Sequence, residues 1–293
     1  MSFPQVRKLV IPVAGIGTRM LPVTKTQPKE MLPILDKPVI QYIVENAVKA
    51  GIRDIIFVSG ASKRALEDHF DRNETLENLC LAAGKDDAYR KIRDISEIAN
   101  FIYIRQKGPY GTATPVLNAK DVIGDEPFAV VWGDEIIECP EGKTHLGQLL
   151  EMYDKYGDPV VTIINTDDEG TKKYGIVEGK EIEKDLYRVE NLIEKPGPEN
   201  TASRLGSIGG YILTPDIFEI ITTMPAIPGR ERYLMDAIDL LAKKRPVYGR
   251  LLDCTHYDSG NKLNWLRTNI EFGLRDAEIG RQLKDYLKEA NLD

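Results

Sequence analysis

Apolar positions along this chain fall into a small number of spacings, and each spacing predicts an element. Residues 9–13 form a continuous β-branched run that ends at Gly15 and Gly17, the pattern of a buried strand feeding a tight loop. Val39, Ile40, Ile43, Val44, Ala47 and Val48 then recur at helical spacing, and a second apolar run follows at 54–59. A helix over about 62–70, strands over 101–105 and 127–132, and between them a helix from about Thr112 continue the alternation. This is the rhythm of βαβ units and predicts an α/β fold with a mainly parallel sheet. Ligands of such sheets sit beyond the carboxyl ends of the strands, where the Gly15 loop falls.

After about residue 157 the rhythm changes. Short β runs at 160–165, 175–178, 188–194 and 206–213 follow one another, separated by charged turns. No linker rich in Pro, Gly or Ser divides the halves, so the second is expected to be a mixed extension of the first sheet, giving a mixed, mainly parallel sheet within one domain spanning 1–293. Two stretches carry apolar stripes at helical spacing amid many charges. Leu76, Leu79, Cys80, Ala83, Tyr89, Ile92 and Ile95 form one; Trp265, Leu266, Ile270, Leu274, Ala277, Leu283, Tyr286 and Leu287 form the other. Such stripes pack either onto their own subunit or onto another.

Composition narrows the partners. The 293 residues carry a net charge of −7, so the chain gains little from counterion release and no nucleic-acid backbone is expected as a partner. Nowhere do eighteen apolar residues run together, and no membrane span or secretion signal is expected. Cys80, Cys139 and Cys254 are few, odd in number and far apart, which reads as reduced thiols in a cytoplasmic protein. His69, His145 and His256 show neither metal-ligand nor triad spacing.

The chemistry concentrates early in the chain. Glycines let backbone N–H groups approach an anion, so Gly15-Ile16-Gly17 is a candidate phosphate cradle as well as a plain turn. The third glycine of a dinucleotide fingerprint is missing, Arg19 follows instead, and no Walker lysine is present. Arg19, Lys25 and Lys29 lie within eleven residues, on a loop stiffened by Pro22, Pro28 and Pro33. The string Ala14-Gly15-Ile16-Gly17-Thr18-Arg19, then Lys25, then Pro28-Lys29-Glu30-Met31-Leu32-Pro33, resembles the signature of the sugar-nucleotide pyrophosphorylases. Within that family it is most similar to the uridylyltransferases that act on glucose 1-phosphate. Later segments extend the resemblance: Gln106 to Gly111, the strand end Trp132-Gly133-Asp134-Glu135, Tyr174-Gly175-Ile176-Val177, Glu194-Lys195-Pro196, and Asp258-Ser259-Gly260-Asn261-Lys262.

The resemblance implies a Rossmann-like sheet with a β-rich sugar-binding extension. It divides the chain into a nucleotide-binding half at about 1–157, a sugar-binding half at about 158–262, and C-terminal helices at 263–293 used between subunits. It implies attack of the glucose 1-phosphate oxygen on the α-phosphorus of UTP, with pyrophosphate leaving. That nucleophile is already anionic, so the demand is for positioning and charge neutralisation rather than for a general base. By resemblance, Arg19 and Lys29 hold the β- and γ-phosphates, and Lys25 is a candidate for the same task. The loop Ala14, Gly15, Gly17 and Thr18, with Glu30, Gln106 and Gly111, takes the nucleotide. A glutamine amide offers both a donor and an acceptor, which matches the imide edge of a pyrimidine. Gly175, Glu194 and Lys195 take the sugar and its phosphate, and Asp134 with Asp258 hold Mg²⁺. A homotetramer or homodimer is expected. The chain departs from its relatives at Thr112-Ala113-Thr114, where Gly-x-Ala-like variants are common, and at Trp132-Gly133, where Leu-Pro is common.

Three other readings stay open on sequence. A thymidylyltransferase using dTTP would share the chemistry, but its relatives lack the Lys29-Glu30-Met31-Leu32-Pro33 string. An NAD(P)-dependent oxidoreductase rests only on Gly15-x-Gly17. A silent sugar-nucleotide-binding subunit would not need Arg19, Lys29, Asp134 and Lys195.

Overall fold

A computed structural model describes residues 3–225 and 227–290. Among them, nine strands form one sheet in the order Asn100–Arg105, Asp54–Ser59, Lys8–Val13, Phe128–Val130, Leu205–Leu213, Val160–Asn165, Tyr248–Leu251, Leu186–Glu194 and Gly175–Glu183. The first four run parallel: Lys8 is in register with Asp54 on one side and Phe128 on the other, and Asp54 with Asn100. Side chains alternate across the sheet. Leu9, Ile11 and Val13 pack with helices Val39–Lys49 and Arg64–Phe70, whereas Val10, Ile56, Val58 and Val130 pack with Ala113–Asn118 and Leu234–Ala242. Both faces are therefore covered, which is why these strands are apolar throughout rather than alternating. Parallel register also brings their carboxyl ends, Val13, Ser59 and Arg105, to one edge.

The second half extends the same sheet with mixed directions: Leu205–Leu213 and Leu186–Glu194 run opposite to the first four strands, whereas Val160–Asn165, Tyr248–Leu251 and Gly175–Glu183 run with them. Leu205–Leu213 runs antiparallel to Phe128–Val130, to Val160–Asn165 and to Gly175–Glu183, while Tyr248–Leu251 runs parallel to Val160–Asn165. The mixed, mainly parallel sheet expected from the sequence is what forms, with both reversed strands in the second half. Gly175–Glu183 and Leu186–Glu194 form a hairpin whose turn places Asp185 at φ 60°, and a hairpin can only be antiparallel.

The first stripe is two helices, Glu74–Ala82 and Asp86–Glu97, with Gly84 at φ 65° between them. The second is Lys262–Arg275 and Gly280–Glu289; the last three residues of the 263–293 segment lie outside the described residues. Both stripes split. Cys80 is buried and Trp265 is tied down, its Nε1 donating to the Pro33 carbonyl at 3.0 Å. Leu76, Leu79, Leu263, Leu266, Leu274 and Tyr286 stay exposed.

One reading is corrected. Cys139 and Cys254 form a disulfide, and only Cys80 is free among the cysteines. The bond spans 115 residues of sequence, so spacing gave no sign of it. Glu135–Glu138 and Thr255–Asp258 pair as a separate antiparallel ribbon with Glu138 opposite Thr255, and the next pair outward is Cys139 with Cys254.

Helix His145–Tyr156 packs against the core, capped by Thr144, whose Oγ1 accepts from Gly147 N at 3.1 Å. His145 is buried and its Nε2 lies 2.7 Å from Thr162 Oγ1. Burial, and after it the His256 ring, push the His145 imidazole down to about 3. The unfolded chain takes up this proton as pH falls below ~6.5, whereas the native protein stays neutral there. The site's contribution is complete above that value and is lost progressively on acidification. The stability advantage of wild type over His145→Gln should therefore narrow by about 2 kcal/mol between roughly pH 7 and pH 5. Urea denaturation of both proteins at the two pH values checks this, and a constant gap would contradict it.

Candidate active site

The loops that follow the parallel strands close over one cleft of about 670 Å³. Pro12, Ala14, Gly15, Gly17, Thr18 and Arg19 line one wall, and Gln106 and Gly111 line the next. The glycine loop needs Gly17: it sits at φ 71°, and its carbonyl accepts from Thr24 Oγ1 at 2.8 Å, which braces the turn. The Lys29 side chain runs beside Gly15, where a Cβ would make ordinary contact at 3.6 Å from Lys29 Cε. Lys29 crosses from the short turn Lys29–Met31 and donates to Asp134 Oδ2 at 2.5 Å. Burial alone would lower the Lys29 ammonium, but Asp134 and Glu30 together outweigh it and raise the group above its ordinary range. Burial alone would likewise raise the Asp134 carboxyl, and Lys29, with Arg19 behind it, holds it below its ordinary range. Both groups stay charged at neutral pH.

Asp134 and Asp258 come from opposite strand ends of the two-stranded ribbon. Ser259 joins them, its N and Oγ donating to the Asp134 carbonyl at 3.1 and 2.8 Å. Their carboxylates converge beside Gly260, where a Cβ would lie 2.8 Å from Asp258 Oδ1, 3.2 Å from Asp134 Oδ2 and 3.6 Å from Arg19 Nη1. Gly133 explains the Trp-Gly-Asp departure. A side chain there would meet Val13 Cγ1 at 2.8 Å and Glu30 Cγ at 3.2 Å, so glycine lets this strand end lie against the first strand.

The far wall belongs to the second half. Gly175 and Glu194 are paired in register on the hairpin, and Lys195 follows at φ 48°. Lys195 Nζ lies 3.4 Å from Glu194 Oε1. Burial raises the Glu194 carboxyl, with Lys195 opposing. Gly175 presents backbone to the wall there, and a Cβ on it would displace the Met235 Cε methyl, 2.6 Å away. An anionic ligand entering this cleft meets Arg19 and Lys29 from the nucleotide half and Lys195 from the second half, with two carboxylates near the first pair.

The family model for nucleotidyl transferases matches residues 8–265. This chain belongs to that family. It is 45% identical over 287 residues to the UTP–glucose-1-phosphate uridylyltransferase YngB of Bacillus subtilis, covering 97% of this chain and 95% of the relative. It is 42% identical over 288 residues to the UTP–glucose-1-phosphate uridylyltransferase of Staphylococcus epidermidis, covering 98% and 99%. A UDP-glucose pyrophosphorylase solved with UDP-glucose shares its fold with a TM-score of 0.85 at 37% identity, covering 93% of this chain and all of that one. The UTP-bound UGPase from Acinetobacter baumannii does so with a TM-score of 0.90 at 32% identity, covering 98% and 100%.

Within this nucleotidyl transferase the sequence candidates do not all stand in the cleft. Lys25 is exposed and lines a neighbouring recess of about 450 Å³, together with Ser62, Lys63 and Gly108. Glu30 borders the cleft but is fully buried, and Lys63 Nζ donates to its Oε2 at 2.7 Å. Burial raises the Glu30 carboxyl even against the Lys63 ammonium. Lys63 carried no sequence signal beyond being a lysine ahead of a helix. Trp132, Tyr174, Glu231 and Tyr233 also line the cleft, and only the fold brings 231 and 233 there. Gly111 is held at φ 132°, and a Cβ on it would lie 2.4 Å from the Arg232 carbonyl oxygen. Gly111→Ala should therefore cost about 1–3 kcal/mol of stability and displace the 106–113 loop. Thermal denaturation and pyrophosphate release measure the two effects, and a wild-type result in both would contradict this geometry.

Proposed function

We propose that this chain transfers the uridylyl group of UTP to α-D-glucose 1-phosphate, giving UDP-glucose and pyrophosphate. The observation that carries the proposal is that Arg19 and Lys29 from the nucleotide half and Glu194 and Lys195 from the second half line a single cleft. The relatives named for this reaction, and the related structures holding UTP or UDP-glucose, support the same substrates. A phosphate oxygen of the sugar attacks the α-phosphorus, the new P–O bond forms, and the bond to the bridging oxygen of pyrophosphate breaks. In this reading Ala14, Gly15, Gly17 and Thr18 present backbone to the nucleotide, and Gln106 and Gly111 meet the base. Arg19 and Lys29 neutralise the departing pyrophosphate. Glu194 accepts from sugar hydroxyls and Lys195 holds the sugar phosphate. Together these groups bring two anions into contact and stabilise the charge that builds on the leaving group. Glu30 borders the nucleotide loop from its buried position, and Lys25 faces the adjoining recess, which shares Ala14, Gly15, Ile16, Gln106 and Tyr110 with the cleft.

Asp134 and Asp258 suit Mg²⁺: it takes one or two carboxylates and completes its shell with substrate phosphates and water. No group of three or more His, Cys, Asp or Glu gathers among the described residues, so a shell completed by substrate fits them better than an all-protein cage. Bound there, the ion would neutralise charge on the phosphates. The cytoplasm remains the expected location from these substrates. The reduced thiols expected with it are not what Cys139 and Cys254 form.

The test supplies UTP, dTTP, ATP, CTP and GTP in turn with glucose 1-phosphate and Mg²⁺ and measures pyrophosphate release. UTP should give the fastest release, and excess EDTA should abolish it. Preference for dTTP would favour the thymidylyl reading, and full activity in EDTA would remove the metal role of the two acids.

We also read the exposed leucines of 74–82 and 262–275 as subunit contacts, because exposed apolar patches of this kind mark interfaces and two-fold symmetry buries them in pairs. Light scattering should report a dimer or tetramer, and a mass near the 32.9 kDa of one chain would refute the reading.

A further inference from the structure

Lys195 depends on a residue that the sequence did not single out. Its backbone is fixed at φ 48°, and its N–H donates to the Tyr174 carbonyl at 3.2 Å, but its side chain is half exposed. Two neighbours locate the ammonium: Glu194 Oε1 at 3.4 Å, and the ring of Tyr233, whose centroid is 5.8 Å from Nζ. An aromatic face at that range attracts a cation through its quadrupole without neutralising it, so the charge remains available to a phosphate. The Arg230 guanidinium lies 5.2 Å from the same ring and is itself held by Asp236, with Nη2 donating to Oδ1 at 3.0 Å.

The segment carrying that ring is anchored on the nucleotide side. Ala113 N donates to the Arg232 carbonyl at 3.0 Å, and Leu234 N donates to Thr112 Oγ1 at 2.8 Å. Tyr233 sits between these two hydrogen bonds, and Gly111 admits the close approach of Arg232. The Thr112 hydroxyl, one of the departures in this loop, thereby gains a function. We propose that Tyr233 is a positioning residue for Lys195, and that residues 230–234 form a strap fixing that cation relative to the nucleotide loop. The inference rests on the reading of Lys195 as the cation for the sugar phosphate.

Steady-state kinetics in both substrates test it with Tyr233→Leu, Tyr233→Phe, Lys195→Ala and the double variant Tyr233→Leu/Lys195→Ala. Tyr233→Leu should raise the KM for glucose 1-phosphate about threefold to tenfold and leave the KM for UTP unchanged. Tyr233→Phe keeps the ring and should restore the wild-type KM. Added to Lys195→Ala, Tyr233→Leu should bring no further rise. The inference is overturned if Lys195→Ala raises the sugar-phosphate KM and Tyr233→Leu does not. A rise in both KM values, or an equal rise on top of Lys195→Ala, overturns it too, because Tyr233 would then act on the fold rather than through Lys195. An unchanged KM in Lys195→Ala would refute the sugar-phosphate reading itself and the inference with it.

Discussion

The contact between Lys29 and Asp134 joins the parts on which the site depends. It ties the proline-stiffened loop after the first strand to the ribbon that carries both acids, across 105 residues of sequence. Neither charge reaches the other without supporting steps. Gly133 lets the ribbon lie on Val13, and Ser259 draws Asp258 beside Asp134. A partly buried ion pair stabilises little once its desolvation is counted. Its value here is geometric, because it gathers a cation and two carboxylates at one side of the cleft.

The two halves are locked together by the sheet rather than by a domain interface. Leu205–Leu213 lies beside Phe128–Val130, so the hairpin bearing Glu194 is placed from the same strands that place the glycine loop. Glycines in that strand make the approach close. Gly209 N donates to Glu135 Oε2 at 2.8 Å and leaves no room for a Cβ against Trp132, and Gly210, at φ 116°, sits on His145. The strap at 230–234 adds a second connection on the open side of the cleft. Substrates that must meet at one phosphorus atom are thus held by elements that share a rigid frame.

Much of the fold was legible because apolar spacing reports burial directly. The strands at 54–59 and 160–165 and the helix at 39–49 appear where their periodicity placed them. The ribbon 135–138 with 255–258, and the helix His145–Tyr156, were not read. The ribbon's strands are four residues each and pair only with each other, too short for periodicity to register. The site divides in a similar way. Arg19, Lys29, Asp134, Glu194 and Lys195 are charged residues in distinctive strings, and they do stand at one cleft. Lys63 and Tyr233 belong to ordinary strings, and their importance comes from what they face.

The sequence by itself determined the alternation of elements, the acidic surface and the set of charged groups available for phosphate chemistry, since each follows from local composition and spacing. Tertiary structure alone decided which charges pair. It paired Glu30 with Lys63 rather than leaving it open to the cleft, and left Lys25 outside. It also brought Cys139 to Cys254 across 115 residues, where the odd count and wide spacing had suggested free thiols. Periodicity along a chain reports which face of an element is buried, whereas the partner of a charge or thiol is set by how segments far apart in sequence pack together. Strand register sets it for the two cysteines, and the packing of a turn and a helix start sets it for Glu30 and Lys63.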